Sequence, residues 1–460
     1  MLWKSEAGII PTDSIQSKIL DFLVIALLYC TAVAWGARSA RSIYAFSAAS
    51  ILLWICRMIV EAAKGSVRLF FARAYVPAFG LIALAVLQFL NPRNALGPTS
   101  PFLPHTVEPH TTELYLILAI GFAALGLSVI HGFSTRRQLI RLVIGLIGVG
   151  VLECLYGLLQ YLTGFTSVWD PPFHSDSAHG SLANHNHYAL LLNLSISLGV
   201  GFLYKKSADL FQGRRLGVRH LLGIPDSAQL GWIIVWLALI GLGVIISLSR
   251  TGIFAMFASV GVMMIAARAV EGRRLAPILV LSVAMAILGL GIYAGMDSAL
   301  ARYAGMMHPG YFEQDRVPIW RDSWKMISTN PWFGQGVGSF QWTFPAYETW
   351  EPDRPALYAH NDYLQMMAEC GIAGLGLVIW LLIACWRSAV RNLKAGDPLV
   401  RGIGIATLGS LAATAIQEIT DYGLYTPAVT AMLICIVALN ERASIWDVEE
   451  SSHRLHRFHK

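Results

Sequence analysis

Charged residues are scarce in this sequence: Asp, Glu, Lys and Arg make up only 13% of its 460 residues, where a soluble domain carries about a quarter. Apolar residues, at 55%, exceed what a water-soluble core of this size takes up. Other absences narrow the function classes. No GxxxxGK[ST] stretch is present, so no phosphate-cradling loop for a nucleotide is expected. The HExxH zinc motif is missing too, which disfavours a membrane metalloprotease. No tandem repeat, low-complexity tract or appended soluble segment interrupts the chain, and a single membrane domain over 1–460 is the economical reading. No secretory cleavage site precedes the first apolar run, and the N-terminus is expected to be retained. All six cysteines (Cys30, Cys56, Cys154, Cys370, Cys385 and Cys435) fall in apolar runs. They read as packing residues, with neither a disulfide nor a zinc site expected.

What is present is a series of apolar runs, each long enough to cross a bilayer as a helix. The expected spans are 17–36, 42–62, 75–90, 113–131, 139–162, 186–204, 230–248, 252–267, 276–294, 363–386, 402–418 and 424–440. The fold class is therefore an all-α polytopic membrane protein with about 12 transmembrane helices. With the N-terminus inside, 24 of the 34 basic residues fall on inside segments, which orients the chain N-in and C-in. Only the first outside turn, with Arg38 and Arg41, runs against that rule. The net charge of +6 then reads as anchoring to anionic membrane lipids, with no nucleic-acid partner. In the second helix Arg57 and Glu61 stand four apart and are expected to pair.

Polar residues concentrate on the outside segments. In Ser247-Leu-Ser-Arg250-Thr-Gly252 an arginine lies between two apolar runs at the outer surface. A snorkelling helix-end arginine is the plain alternative, but a guanidinium there, beside hydroxyls and a helix start, is an anion clamp. The tenth helix opens with Tyr358-Ala-His360-Asn361-Asp362, and Asp362, Gln365 and Glu369 share one helical face below His360. Polar residues descending into the membrane there point to a lined cavity. A large outside loop, 295–362, carries Arg302, Arg316 and Arg321, and Ile319, Trp320, Trp324 and Ile327 recur at helical spacing between Arg316 and Thr329. The run His174, Asp176, His179, Asn184, His185 and His187 has ligand-type side chains but no metal-motif spacing, so it reads as polar lining or as capping at the interface. Glu153, Glu418 and Asp421 are polar groups without an assigned role.

Taken together these segments resemble the bacterial O-antigen ligase and O-antigen polymerase superfamily. The resemblance rests on His360-Asn361, nine residues, then Gly371-x-x-Gly374. It rests further on Ser249-Arg250-Thr251-Gly252, on Arg316 through Gly338 as the large periplasmic loop, and on Asn184-His-Asn-His187-Tyr-Ala189, and it covers roughly 180–440. It implies transfer of a glycan from undecaprenyl diphosphate to an acceptor hydroxyl on the periplasmic side of the bacterial inner membrane, without metal, nucleotide or other cofactor. The acceptor is lipid A core in a ligase and a growing glycan in a polymerase.

The resemblance assigns His360 as general base and Arg250 and Arg316 as diphosphate-binding groups, with Arg321 in reserve. Asn184, His187, Asn361, Asp362, Gln365 and Glu369 are expected to line the substrate site. A polymerase for O-antigen or exopolysaccharide is the alternative within the superfamily. A lipid-linked glycan flippase is the more distant one, and it predicts paired halves and charges near the midplane, which this sequence does not show.

Overall fold

A computed structural model describes residues 15–65, 70, 72–94, 97, 98, 100, 102–164, 177–182, 184–211, 227–271, 287, 316–349 and 356–458. The expected span 276–294, the loop arginine Arg302, and His174 and Asp176 lie outside the described residues, apart from residue 287. The helices are α1 (Ile15–Val33), α2 (Ala40–Ala63), α3 (Tyr75–Leu90), α4 (Pro109–Gly132), α5 (Arg136–Thr163) and α6 (His185–Phe211). They continue with α7 (Ser227–Ile246), α8 (Arg250–Glu271), α9 (Val317–Thr329), α10 (Asp362–Asn392), α11 (Pro398–Gln417) and α12 (Pro427–Phe458). Among the described residues ten of these are long and apolar enough to cross a membrane. The shorter α3, at 16 residues, spans about 24 Å against the roughly 30 Å of a hydrocarbon core. A two-stranded turn, Arg93–Asn94 on Gly97–Pro98, is a small departure from the all-helical pattern.

Local chemistry sets the helix ends. A capping box closes the start of α5, where Thr135 and Gln138 exchange side-chain and backbone hydrogen bonds, and Gly164 ends it in the left-handed conformation. Asp397 caps α11 ahead of Pro398, and Ser39 caps α2. The last helix runs far beyond its expected end at 440, because the polar turns after Asn440 continue helical outside the apolar stretch, where hydropathy carries no signal.

The bundle is organised around α6 and α11, whose membrane windows are 94% and 83% buried. Gly201 and Gly402 let the two backbones touch: a Cβ on either would lie within 2.4 Å of the other's carbonyl oxygen. Small residues at such a crossing are how membrane helices gain van der Waals contact where no hydrophobic drive exists. Outer helices show the reverse pattern, with Leu52, Ile55 and Ile59 of α2 and Ile379, Trp380 and Ile383 of α10 exposed, as lipid-facing stripes require. Cys30 joins such a face and is exposed, and Cys56 is half-buried, while the other four cysteines are buried as expected.

Connectors separate to the two ends of the bundle. At one end Arg136 pairs with Asp397 at 3.0 Å, Arg442 donates to the Phe133 carbonyl at 3.2 Å, and Arg57 meets Asp21 of α1 at 3.1 Å. The Arg57–Glu61 pair expected from spacing is thus replaced. Asp21 is buried beside Arg57 and also accepts from Gln138, whereas Glu61 bonds Lys64, near the helix end where water competes. At the opposite end gather the turns after α1, α3, α7 and α11, the segment before α6, and the chain leading into α9 and α10.

Candidate functional site

Gly371 shapes the polar end of α10. Its φ of 65° and ψ of −166° break the helix, a conformation open essentially to glycine. The break exposes backbone groups that the preceding loop then satisfies. Ile372 and Ala373 donate to the carbonyls of Pro331 and Trp332 (2.8 and 3.1 Å), and Gln335 and Gly336 donate to those of Ala368 and Glu369 (3.0 and 2.9 Å). Gln88 of α3 locks this junction, donating to the Phe333 and Glu369 carbonyls and accepting from Val337. The loop after α9 is therefore hydrogen-bonded along the first turns of α10 as a rigid collar.

Two of the polar residues on that face hold the collar in place. Glu369 accepts from Gly338 N at 2.8 Å, Phe340 N at 3.3 Å and the Tyr425 hydroxyl at 2.6 Å. Gln365 bonds Glu369 and accepts from Ala359 N at 3.0 Å. Asn361 is the N-cap of α10, its side chain accepting from Leu364 N at 3.0 Å. His360, half-buried, lies between these two anchored residues with φ +49°, a left-handed geometry that costs a β-carbon-bearing residue about 1–2 kcal/mol. Ala359's carbonyl accepts from Trp320 Nε1 of α9 at 3.0 Å, so the histidine is fixed by elements on both sides.

The connector between α11 and α12 is the meeting point. Tyr422 presents its ring to His360 edge-on at 4.9 Å and to His187 at 4.8 Å, and it stacks on Tyr358 at 4.1 Å with the planes 8° apart. Thr420 bonds Thr251 across 2.7 Å, which brings in the α7–α8 turn. In that turn Leu248 adopts φ +56°, and Ser249 caps α8 by accepting from Gly252 N at 3.2 Å while donating to Asn186 at 2.7 Å. Arg250 is then the first residue of α8, half-buried. A cation at a helix N-terminus opposes the helix dipole; guanidinium and dipole are reconciled by an anion that serves both. Arg316, immediately before α9, acts electrostatically on Asp421 of the same connector. Arg321 is not drawn in: it is mostly exposed and bonds Thr349 at 3.3 Å.

His187 donates or accepts at Thr426 Oγ1 (2.8 Å) and lies 3.7 Å from Asp421. Asn184 accepts from Asn186 N at 2.8 Å at the start of α6, and its amide reaches the Tyr422 hydroxyl at 3.5 Å. His179 is buried, its backbone amide donating to Gln160 at 3.3 Å, while Glu153 holds Ser181 through both oxygens. Three carboxyl groups sit together behind Tyr422. Asp362 N donates to the Glu418 carbonyl at 3.0 Å, the Asp362 carboxylate accepts from Leu424 N at 3.2 Å, and Glu418 accepts from Gly423 N at 2.7 Å. Asp362 Oδ1 and Glu418 Oε1 are buried without a hydrogen-bond partner among the described residues.

Burial, with the carboxylates of Asp362 and Asp421 nearby, pushes the Glu418 carboxyl well above its ordinary range. Asp421 goes the other way: burial opposes its charge, but His187, the Tyr422 amide and Arg316 outweigh it and hold the carboxyl below the usual range. The two neighbouring carboxyls are thus pushed in opposite directions. Among the described residues no three His, Cys, Asp or Glu side chains form a metal cage.

Sequence reading alone left Glu418 and Asp421 without a role, quoted Tyr358 ahead of His360 without assigning it one, and passed over Tyr422 and Thr420. Their only signal was polarity at the outer end of two apolar runs.

Comparison with known families bears on this arrangement. Residues 233–379 match the family model described as O-antigen ligase, a stretch that includes Arg250, Arg316, His360 and the whole of the collar. No curated protein matches the chain. The matched stretch, which carries the Arg250 turn and the His360 helix start in their expected order, is similar to the O-antigen ligase family and supports the O-antigen ligase and polymerase superfamily.

Proposed function

We propose that this protein is an O-antigen ligase-type glycosyltransferase of the bacterial inner membrane. It moves a glycan from undecaprenyl diphosphate to a hydroxyl of lipid A core at the periplasmic end of the bundle. The observation that carries this reading is the convergence of distant segments on one connector: Thr251 on Thr420 and His360 on Tyr422, with the Arg316 charge near enough to act on Asp421. The excess of basic residues at the opposite end supports the N-in, C-in orientation.

The chemistry follows from the groups present. The acceptor oxygen attacks the anomeric carbon, its proton passes to the His360 imidazole, and the bond from that carbon to the diphosphate oxygen breaks with its electron pair on the leaving group. An unperturbed imidazole titrates near 6.5 and suits a general base at neutral pH. Negative charge grows on the lipid diphosphate, and guanidinium groups are suited to hold it because they remain charged and bind two oxygens at once. Arg250, with the α8 N-terminus, and Arg316 take that role. Attack opposite the diphosphate inverts the anomeric centre. Asn184, His187, Asn361 and Asp362 border the site, while Gln365 and Glu369 act through the collar; Arg321, exposed and bonded to Thr349, is given no role in it.

The test combines product analysis with one substitution. In a deletion strain, a ligase leaves full-length free glycan and uncapped lipid A core, whereas a polymerase leaves single repeat units on the core. His360→Ala in folded, membrane-inserted protein is expected to abolish transfer while retaining binding of undecaprenyl diphosphate. A His360→Ala protein that still transfers glycan at a near-normal rate would refute the assignment, and one that still moves lipid-linked glycan across the bilayer points to a flippase.

A further inference from the structure

Arg38 is one of the two basic residues in the first outside turn, the turn that violates the charge rule obeyed by the rest of the chain. The fold brings it to the site from the far end of the sequence. Gly36, at φ +66°, packs so closely on the α11–α12 connector that a Cβ there would lie 2.8 Å from Thr426 Cγ2 and 3.0 Å from Leu182 Cδ2. Ala37 follows at φ +58°, and Ser39 caps α2. Arg38 is thus held between a left-handed residue and a helix cap.

Its guanidinium carbon lies 5.8 Å from the centroid of Tyr422, the ring that His360 meets at 4.9 Å. The Tyr358 and Tyr422 hydroxyls are close enough to act on it electrostatically, and the 4.1 Å stack of these two rings holds them together. Tyr115 extends the set through Tyr425, whose ring lies 5.5 Å from that of Tyr115 and 5.8 Å from that of Tyr358. Among the described residues no carboxylate forms an ion pair with Arg38. Half-buried, its charge is met among the described residues only by phenols, which are neutral at physiological pH. A permanent cation desolvated to this degree is stabilised by an anion, to which a guanidinium offers five donors.

We propose that Arg38 is a third diphosphate-binding residue: its N–H groups take an oxygen of the lipid diphosphate, and the Tyr358–Tyr422 pair sets the direction of the fork. This rests on the transferase reading above. Arg38 lies outside the matched family stretch 233–379, and its contribution is to binding of the donor, with His360 retaining the proton transfer.

The experiment measures binding of undecaprenyl diphosphate to the purified full-length protein in detergent, for the wild type and for Arg38→Ala, Arg38→Met and Arg38→Lys, with Arg250→Ala and Arg316→Ala alongside. Loss of a charge-assisted hydrogen bond predicts binding about tenfold or more weaker for Arg38→Ala and Arg38→Met. Arg38→Lys is expected to recover most of the affinity. In transfer assays the same loss appears as a raised KM for donor with kcat little changed. Met retains the aliphatic packing on Tyr422, so normal binding by Arg38→Met with weak binding by Arg38→Ala means a packing role and overturns the proposal, as does unchanged binding in both. If Arg250→Ala and Arg316→Ala weaken binding and the Arg38 variants do not, the third-arginine proposal alone fails. If none of the five variants changes binding, the diphosphate reading of the site fails with it.

Discussion

Gly371→Ala probes the collar directly. In the native backbone a Cβ at Gly371 would stand 2.3 Å from the carbonyl carbon of Trp332 and 2.4 Å from Phe333 N. Both neighbours are main chain, so no side-chain rotation relieves the clash. Alanine must also adopt φ +65° with ψ −166°, at about 1–3 kcal/mol. Displacing the loop enough to admit the methyl group breaks some of the four backbone hydrogen bonds between 331–336 and 368–373, each contributing about 1 kcal/mol net. The expected destabilisation of the collar is therefore about 3–5 kcal/mol.

Hydrogen exchange of the amides of Gln335, Gly336, Ile372 and Ala373 in detergent-solubilised protein reads this locally, with exchange faster by roughly two orders of magnitude or more. Glycan transfer falls as well, because Glu369 loses its fixed distance to Tyr425. Gly376→Ala is the control: it lies in the same helix and a Cβ there meets nothing within 4 Å. The replacement is neutral or stabilising by up to about 1 kcal/mol. Equal exchange in Gly371→Ala and Gly376→Ala would refute the claim that the glycine break anchors the loop.

Two further outcomes follow from the geometry. Arg250→Ala and Arg316→Ala are each expected to lower transfer by about 10²-fold or more, as for loss of a donor to developing charge. Arg321→Ala, at an exposed position, should stay within about threefold of wild type; a cell-based assay of lipid A core capping with purified-enzyme confirmation separates the three. Glu418, one residue beyond α11, has its folded carboxyl pKa raised, so the folded state binds more protons and stability falls as pH rises from the ordinary carboxylate range toward the raised value. Glu418→Gln removes this dependence while keeping a neutral hydrogen-bonding side chain. Thermal unfolding between pH 5 and pH 9, on the order of one assay per pH unit, should show a flatter profile for the variant, and identical slopes would contradict a raised Glu418 carboxyl.

Much of the helical framework was legible because its signals are local. The capping box at Thr135 and Gln138 and the Asp397-Pro398 start of α11 lie within a turn of the residues they order. Apolar runs mark spans without reference to partners. The reading overreached where partner choice mattered. Arg57 and Glu61 have helical spacing, yet Asp21, 36 residues away, takes the arginine. A buried carboxylate needs the charge more than one near water does. Asp362, Gln365 and Glu369 do share a face, but spacing carried no information that the collar's amides would occupy Glu369.

By itself, then, the sequence determined the class of fold, a helical membrane bundle, and the resemblance to the family matched at residues 233–379, through motifs whose order survives without knowledge of contacts. Only the tertiary structure decided which polar groups meet. Thr251 and Thr420 are 169 positions apart, and Gln88 and Val337 are 249 apart; Arg38 reaches Tyr422 across most of the chain. It also bonded Arg321 to Thr349 at an exposed position and pushed the neighbouring Glu418 and Asp421 carboxyls in opposite directions. The physical reason is that hydropathy and capping act within a few residues, whereas a buried charge takes its state from whatever the packing of distant helices places around it.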